Sequence, residues 1–112
     1  EARLQAIDGV IVPREPEWAR TNWQSYAIRV GAWIDQRAVM QRMLDAGIAT
    51  RRGAPNVHRE AAYPPGTWRA GSGLAHGEEA QDTAIVLPLF HQLTDEDQDR
   101  VITTLESAIR GL

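Results

Sequence analysis

Asn22-Trp23-Gln24-Ser25-Tyr26-Ala27-Ile28-Arg29-Val30, followed after a short gap by Asp35-Gln36-Arg37-Ala38-Val39-Met40-Gln41-Arg42-Met43-Leu44-Asp45-Ala46-Gly47, sets the expected architecture. The first run has period two. Tyr26, Ile28 and Val30 fall on one face and Trp23, Ser25, Ala27 and Arg29 on the other, which predicts a strand with one buried and one mixed side. The second run has helical spacing: Asp35 caps a helix to about Ala46, Val39, Met40, Met43 and Leu44 form its apolar stripe, and Gly47 supplies a left-handed stop. Ile48-Ala49-Thr50 then reads as a short strand. Strand, helix and strand thus follow within about thirty residues, the size of one crossover unit.

The flanking segments extend this pattern. Val10-Ile11-Val12 predicts a brief strand closed by Pro13, with a turn through Pro16. From Gly53 to Gly77 the chain is rich in Gly and Pro and is expected to be irregular around one short helix, Val57 to Tyr63. Glu78-Glu79-Ala80 opens a helical turn or two, and Ala84-Ile85-Val86-Leu87 reads as a buried strand ended by Pro88. Thr94 caps a last helix with Asp95, Glu96 and Asp97 in its first turn and Asp97 at the capping-box position. Val101, Ile102, Leu105, Ala108 and Ile109 give that helix an apolar stripe, and Arg110-Gly111 closes it. The expected fold is α+β: a small, mostly antiparallel sheet with helices packed chiefly on one face, residues 1–112 forming one domain.

Composition narrows the functional classes. A chain of 112 residues with 43% hydrophobic and 24% charged residues fits one globular domain, and no apolar run approaches a membrane span. Absence of cysteine excludes disulfides, thiolate metal sites and a cysteine nucleophile, and cytoplasm is the default compartment. A net charge of −3 and scattered arginines speak against nucleic-acid binding. All twelve basic residues are arginine, so no lysine amine of this chain performs any chemistry. The segment Ala2-Arg3-Leu4-Gln5-Ala6-Ile7 reads as the tail of something earlier, and a processed or truncated product is expected.

Several groupings invite a functional reading. His58, His76 and His91 lack metal-ligand spacing, no serine lies in a nucleophile turn, and Gly71 and Gly73 complete no phosphate loop. No catalytic or metal-binding residue is therefore assigned. Arg51-Arg52 presents two forked cations suited to a carboxylate or phosphate, although residue types alone favour a solvated pair. His58 and Tyr63 fall near one another on the expected short helix, and alone they read as a satisfied polar pair. Trp18, Trp33 and Trp68 lie off the regular elements, where they either cap the core or meet another surface.

Asn22-Trp23-Gln24-Ser25-Tyr26, Gly47-Ile48-Ala49-Thr50-Arg51-Arg52-Gly53, His58-Arg59-Glu60-Ala61-Ala62-Tyr63 and Leu87-Pro88-Leu89 with Leu93-Thr94-Asp95-Glu96-Asp97-Gln98 follow one another in an order that resembles the DegT/StrS-type sugar aminotransferases. The resemblance covers almost the whole chain and is to the C-terminal small domain. It implies pyridoxal-phosphate-dependent amino transfer from glutamate or glutamine to a keto sugar carried on a nucleotide. It also implies that the cofactor and its Schiff-base lysine belong to a larger N-terminal domain, absent here, with this chain forming one wall of the active site. No cofactor is expected on this chain alone, and the isolated chain is expected to be inactive.

Partners implied by the resemblance are that large domain, on the same or a companion chain, the sugar nucleotide and the amino-acid donor, in a homodimeric enzyme. Carried over by position, His58 and Tyr63 are expected to contact substrate. Arg51 and Arg52 match a subgroup with this pair and are candidates for the donor carboxylate or a nucleotide phosphate. Ala61 replaces a common proline, Gly77 stands where a capping serine is usual, and the stretch from Pro64 to His76 is short. A freestanding binding or assembly module with the same fold is the rival expectation.

Overall fold

The computed structural model describes all 112 residues. Alternation builds the sheet as expected, on a shorter strand. β2 (Tyr26–Val30) buries Ile28 and Val30, but it begins four residues later than Asn22. Trp23 has φ 50°, in the left-handed region, which interrupts an extended chain. Its ring stacks on Tyr26 with centroids 5.5 Å apart.

The helix that follows, α2 (Gln36–Asp45), starts where Asp35 accepts hydrogen bonds from the backbone N–H groups of Arg37 and Ala38. At its other end Gly47 takes φ 80° and donates to the Leu44 carbonyl, while Ile48 donates to the Met43 carbonyl. This is the paired-bond helix stop that requires a left-handed residue. It also explains a displaced strand: Ile48 is consumed in the cap and buried in the core, so pairing begins only at β3 (Arg51–Arg52) rather than at Ile48-Ala49-Thr50. Leu44 is exposed, which narrows the expected stripe to Val39 and Met43 with Met40 partly buried.

β4 (Ala84–Leu87) occupies the centre of the sheet. It pairs antiparallel with β2, Ile28 facing Ile85 and Tyr26 facing Leu87, and with β3, Arg51 facing Val86. β1 (Val10–Ile11) adds antiparallel to β2, Val10 facing Val30, to give the order β1-β2-β4-β3. The β2–α2–β3 unit is thus a crossover that leaves a gap, filled by a strand from much later in the chain.

α4 (Asp95–Arg110) carries the expected reciprocal cap, with Thr94 and Asp97 bonded in both directions. Leu105 and Ala108 pack with Val39, Met43, Ile28, Val30, Ile85 and Leu87 in one core. Arg42 and Arg100 reinforce the α2–α4 contact by donating to the Ala108 and Ala46 carbonyls, each at 3.0 Å. The first residues form a short helix, α1 (Ala2–Gln5), that adds Leu4, and beyond it Ile7, to the same core; no sequence signal pointed to it.

α1, α2 and α4 therefore cover one face, as the α+β reading required. The expected helix of Val57 to Tyr63 is instead a single 3-10 turn, Val57–Arg59, because Glu60 returns to extended backbone. α3 (Ala75–Thr83) starts three residues before Glu78 and runs directly into β4. Gly77 accordingly lies inside α3, not at its cap, and a Cβ there would approach Asn56 Oδ1 to 2.7 Å. No helix is long and apolar enough to cross a membrane.

Candidate functional site

Glu78 and Asp82 stand four residues apart on α3, which places both carboxylates on one face of the helix. Opposite them lie two arginines and a histidine: Arg52 from β3, and His58 and Arg59 from the 3-10 turn. Asp82 accepts from Arg59 Nη1 at 2.7 Å and lies 3.6 Å from Arg52 Nη2. Glu78 Oε1 lies 2.8 Å from His58 Nε2 and 3.6 Å from Arg59 Nε. Arg59 thereby spans the two carboxylates.

Two amides anchor this ladder to the sheet. Gln81 Oε1 accepts from both the backbone N–H and the side-chain Nδ2 of Asn56, at 2.7 and 2.6 Å. Gln36 is 5% exposed, and its Nε2 donates to the carbonyls of Gln81 at 3.0 Å and Ala84 at 2.6 Å. Buried polar groups require such partners, so this chain of contacts fixes where α3 can sit. On the sheet face away from the core, Arg29 donates to Thr83 Oγ1 at 3.1 Å and pairs with Glu79.

The electrostatics follow from these distances. The hydrogen bond from His58 leads in holding the Glu78 carboxyl below its ordinary range, with the Arg59 charge adding to it. The Asp82 hydrogen bond leads in raising the Arg59 guanidinium. Apart from the His58 ring, these side chains are about a third or more exposed and screened by water, so the pairs order the segment more than they stabilise the fold.

The four sequence candidates do not converge on one point. His58 has an 11% exposed side chain, closed in by Glu78 and by Trp68, whose ring centroid is 5.0 Å away and tilted by 57°. Tyr63 lies past the 3-10 turn, with its N–H bonded to the Glu60 carbonyl, and is 46% exposed, so the two do not share a helix. Arg51 and Arg52 are consecutive on a strand and face opposite sides. Arg52 lines a depression with Arg37, Met40 and Thr50 on the helical side. Arg51 lines another, of about 330 Å³, with Ser25, Val86, Pro88 and Phe90. One ligand anion is therefore not gripped by both guanidinium groups.

The Thr50 hydroxyl and Arg52 Nε are buried without a partner. Glu78, Asp82, Asn56 and Gln81 are the site residues that sequence reasoning passed over. Their signal was present as two carboxylates at i, i+4 facing an Arg- and His-bearing segment, but it becomes specific only once α3 is known to start at Ala75. A separate recess of about 220 Å³ between α1, α4 and the sheet end is lined mainly by Leu4, Tyr26, Leu87, Phe90, Leu93 and Ile102. It contains none of the four candidates. The Tyr26 hydroxyl is buried without a partner, and burial pushes its phenol up, with the Glu1 charge adding to the effect.

A family model for the DegT/DnrJ/EryC1/StrS aminotransferase family matches residues 1–106. Among solved structures, the aminotransferase TlmJ from Streptoalloteichus hindustanus superposes with TM-score 0.82 at 24% identity, covering 98% of this chain and 29% of that one. DesI, solved in the presence of its TDP-sugar product, gives TM-score 0.82 at 24% identity over 98% of this chain and 29% of its own. NtdA from Bacillus subtilis, with bound cofactor PMP, gives TM-score 0.75 at 29% identity over 97% and 25%. The chain thus spans less than a third of the length of each. No curated protein matches it.

Proposed function

The chain belongs to the DegT/DnrJ/EryC1/StrS aminotransferase family, and from that membership we propose that it forms one wall of an active site for amino transfer from glutamate or glutamine to a keto sugar on a nucleotide. The observation that carries this reading is the extent of the match: 98% of this chain aligns with only 29% of TlmJ, so most of such an enzyme lies outside it. Exposed Trp18, Trp33, Leu89 and Phe90 support a further surface of contact with a large domain, in the same or a companion chain.

Pyridoxal phosphate would supply the electron sink for the transfer, held in the large domain. The residues of this chain do not fit its covalent attachment, since none is lysine. Their part is binding and orientation. His58 and Tyr63 contact the sugar substrate. Arg51, exposed and free of any ion pair, attracts the donor carboxylate or a nucleotide phosphate, while Arg52, already facing Asp82, shapes the segment behind it. TDP-sugar in the DesI structure and PMP in NtdA support the substrate and cofactor classes. The reading implies a homodimeric, cytoplasmic enzyme.

The test is to assay the chain alone and joined to a large domain of this family. Cofactor absorbance in the visible and amino transfer are expected only in the joined form, and transfer by the chain alone refutes the proposal. In the joined form, replacing Arg51 and Arg52 together by Ala should raise the KM of one substrate. Unchanged kinetics reject their role.

A further inference from the structure

We propose that Glu78 is a positioning residue for His58, holding the imidazole by Nε2 so that Nδ1 is the nitrogen presented to a substrate hydroxyl. The inference rests on the reading above that His58 contacts the sugar. Its geometry stands independently of that reading.

A carboxylate is an acceptor only, so at 2.8 Å from Glu78 Oε1 the Nε2 position carries the proton. In the neutral ring the other nitrogen then has a free lone pair and accepts a hydrogen bond. Nδ1 has no partner within the chain and is not among the fully buried unpartnered atoms, so it belongs to the 11% of the side chain that reaches the surface. A sugar hydroxyl, which donates, matches it; a carboxylate or phosphate oxygen, which only accepts, does not.

Three further groups limit the movement of the pair. Arg59 Nε stands 3.6 Å from the same Glu78 oxygen, and Arg59 Nη1 is held by Asp82 at 2.7 Å, so Glu78 is braced from the 3-10 turn. Trp68 lies against the imidazole from the following loop. Glu78 projects from α3, whose position Gln36 and Asn56 fix through Gln81. Orientation of a ligand-binding imidazole by a carboxylate on its far nitrogen is an established physical arrangement in metal sites, and the same logic applies to a hydroxyl ligand.

Imidazole-selective NMR of the intact chain at a pH where the ring is neutral tests the pairing directly, with the exposed His76 and His91 as internal controls. The Hε2 proton of His58 should exchange slowly with water, unlike those of the controls, and should remain slow in Glu78→Gln, whose amide oxygen still accepts. Glu78→Ala should bring it to the control rate. An unprotected Hε2 in the unsubstituted chain overturns the inference without reference to any variant.

In the enzyme joined to its large domain, His58→Ala and Glu78→Ala should each raise the KM for sugar nucleotide by about tenfold, the scale of one lost hydrogen bond, with kcat within about twofold. Glu78→Gln should rescue KM. If His58→Ala leaves KM unchanged, the substrate-contact reading fails. If His58→Ala raises it and Glu78→Ala does not, the positioning role alone is overturned.

Discussion

Replacing Gln36 by Ala perturbs the contact on which the whole α3 ladder depends. Its Nε2 donates to two carbonyls, and the two losses are unequal. The Ala84 carbonyl also accepts from the Gly53 N–H at 3.1 Å and keeps that bond, so its loss is a partial one. The Gln81 carbonyl lies in the last turn of α3, where the helix supplies no continuing donor. Leaving it unpaired costs about 1–2 kcal/mol, and the weakened Ala84 interaction adds about 0.5–1 kcal/mol, for a total of about 1.5–3 kcal/mol. With an unfolding entropy of about 2.1 cal/mol/K per residue, a chain of 112 residues loses roughly 4 °C of Tm per kcal/mol, or about 6–12 °C here.

Urea denaturation gives the free energy, and calorimetry gives the midpoint; the denaturant slope should be unchanged if the unfolded state is unaffected. Amide exchange adds a local signature, because the Asn56 and Gly53 N–H groups rely on the same junction. Both should exchange faster in the variant. A loss below about 0.5 kcal/mol, with both amides as protected as before, would refute the claim that Gln36 fixes α3.

Leu105→Ala empties a fully buried site between α4 and the sheet and should cost about 3–4 kcal/mol, read by the same denaturation. Thr94→Ala removes one half of the α4 capping box and should cost about 1 kcal/mol. Asp97 adds a pH dependence. Hydrogen bonds from Thr94 lower its folded-state carboxyl below the unfolded value. Its contribution is therefore fully present above the unfolded value of about 3.9 and disappears as pH falls through the folded one. Melting curves from neutral pH down to about pH 2 should show the Thr94→Ala deficit shrinking with acid; a constant deficit contradicts the assignment.

The crossover unit was legible in the sequence because each of its signals is local. Asp35 reaches N–H groups two and three residues ahead, Gly47 needs only its own φ, and Thr94 and Asp97 find each other within one turn. Errors arose where local signals competed. The period-two pattern from Asn22 is genuine, yet Trp23 turns out of it to stack on Tyr26. Ile48 has strand character, but the helix stop uses its N–H first. The segment Val57 to Tyr63 has enough helix formers for one turn, and none of its residues is buried to sustain another.

Sequence by itself determined the α+β class, the caps of α2 and α4, the apolar stripe of α4, and the absence of any lysine for covalent cofactor chemistry. Tertiary structure alone decided that β4 inserts between β2 and β3, that Arg51 and Arg52 part to opposite sides, and that His58 meets Glu78 twenty residues away. Caps and stripes depend on contacts within a few residues, where backbone geometry dictates who meets whom. Sheet order and the α3 ladder depend on strand register and chain crossing, and a one-residue change there reassigns every side chain to the other face.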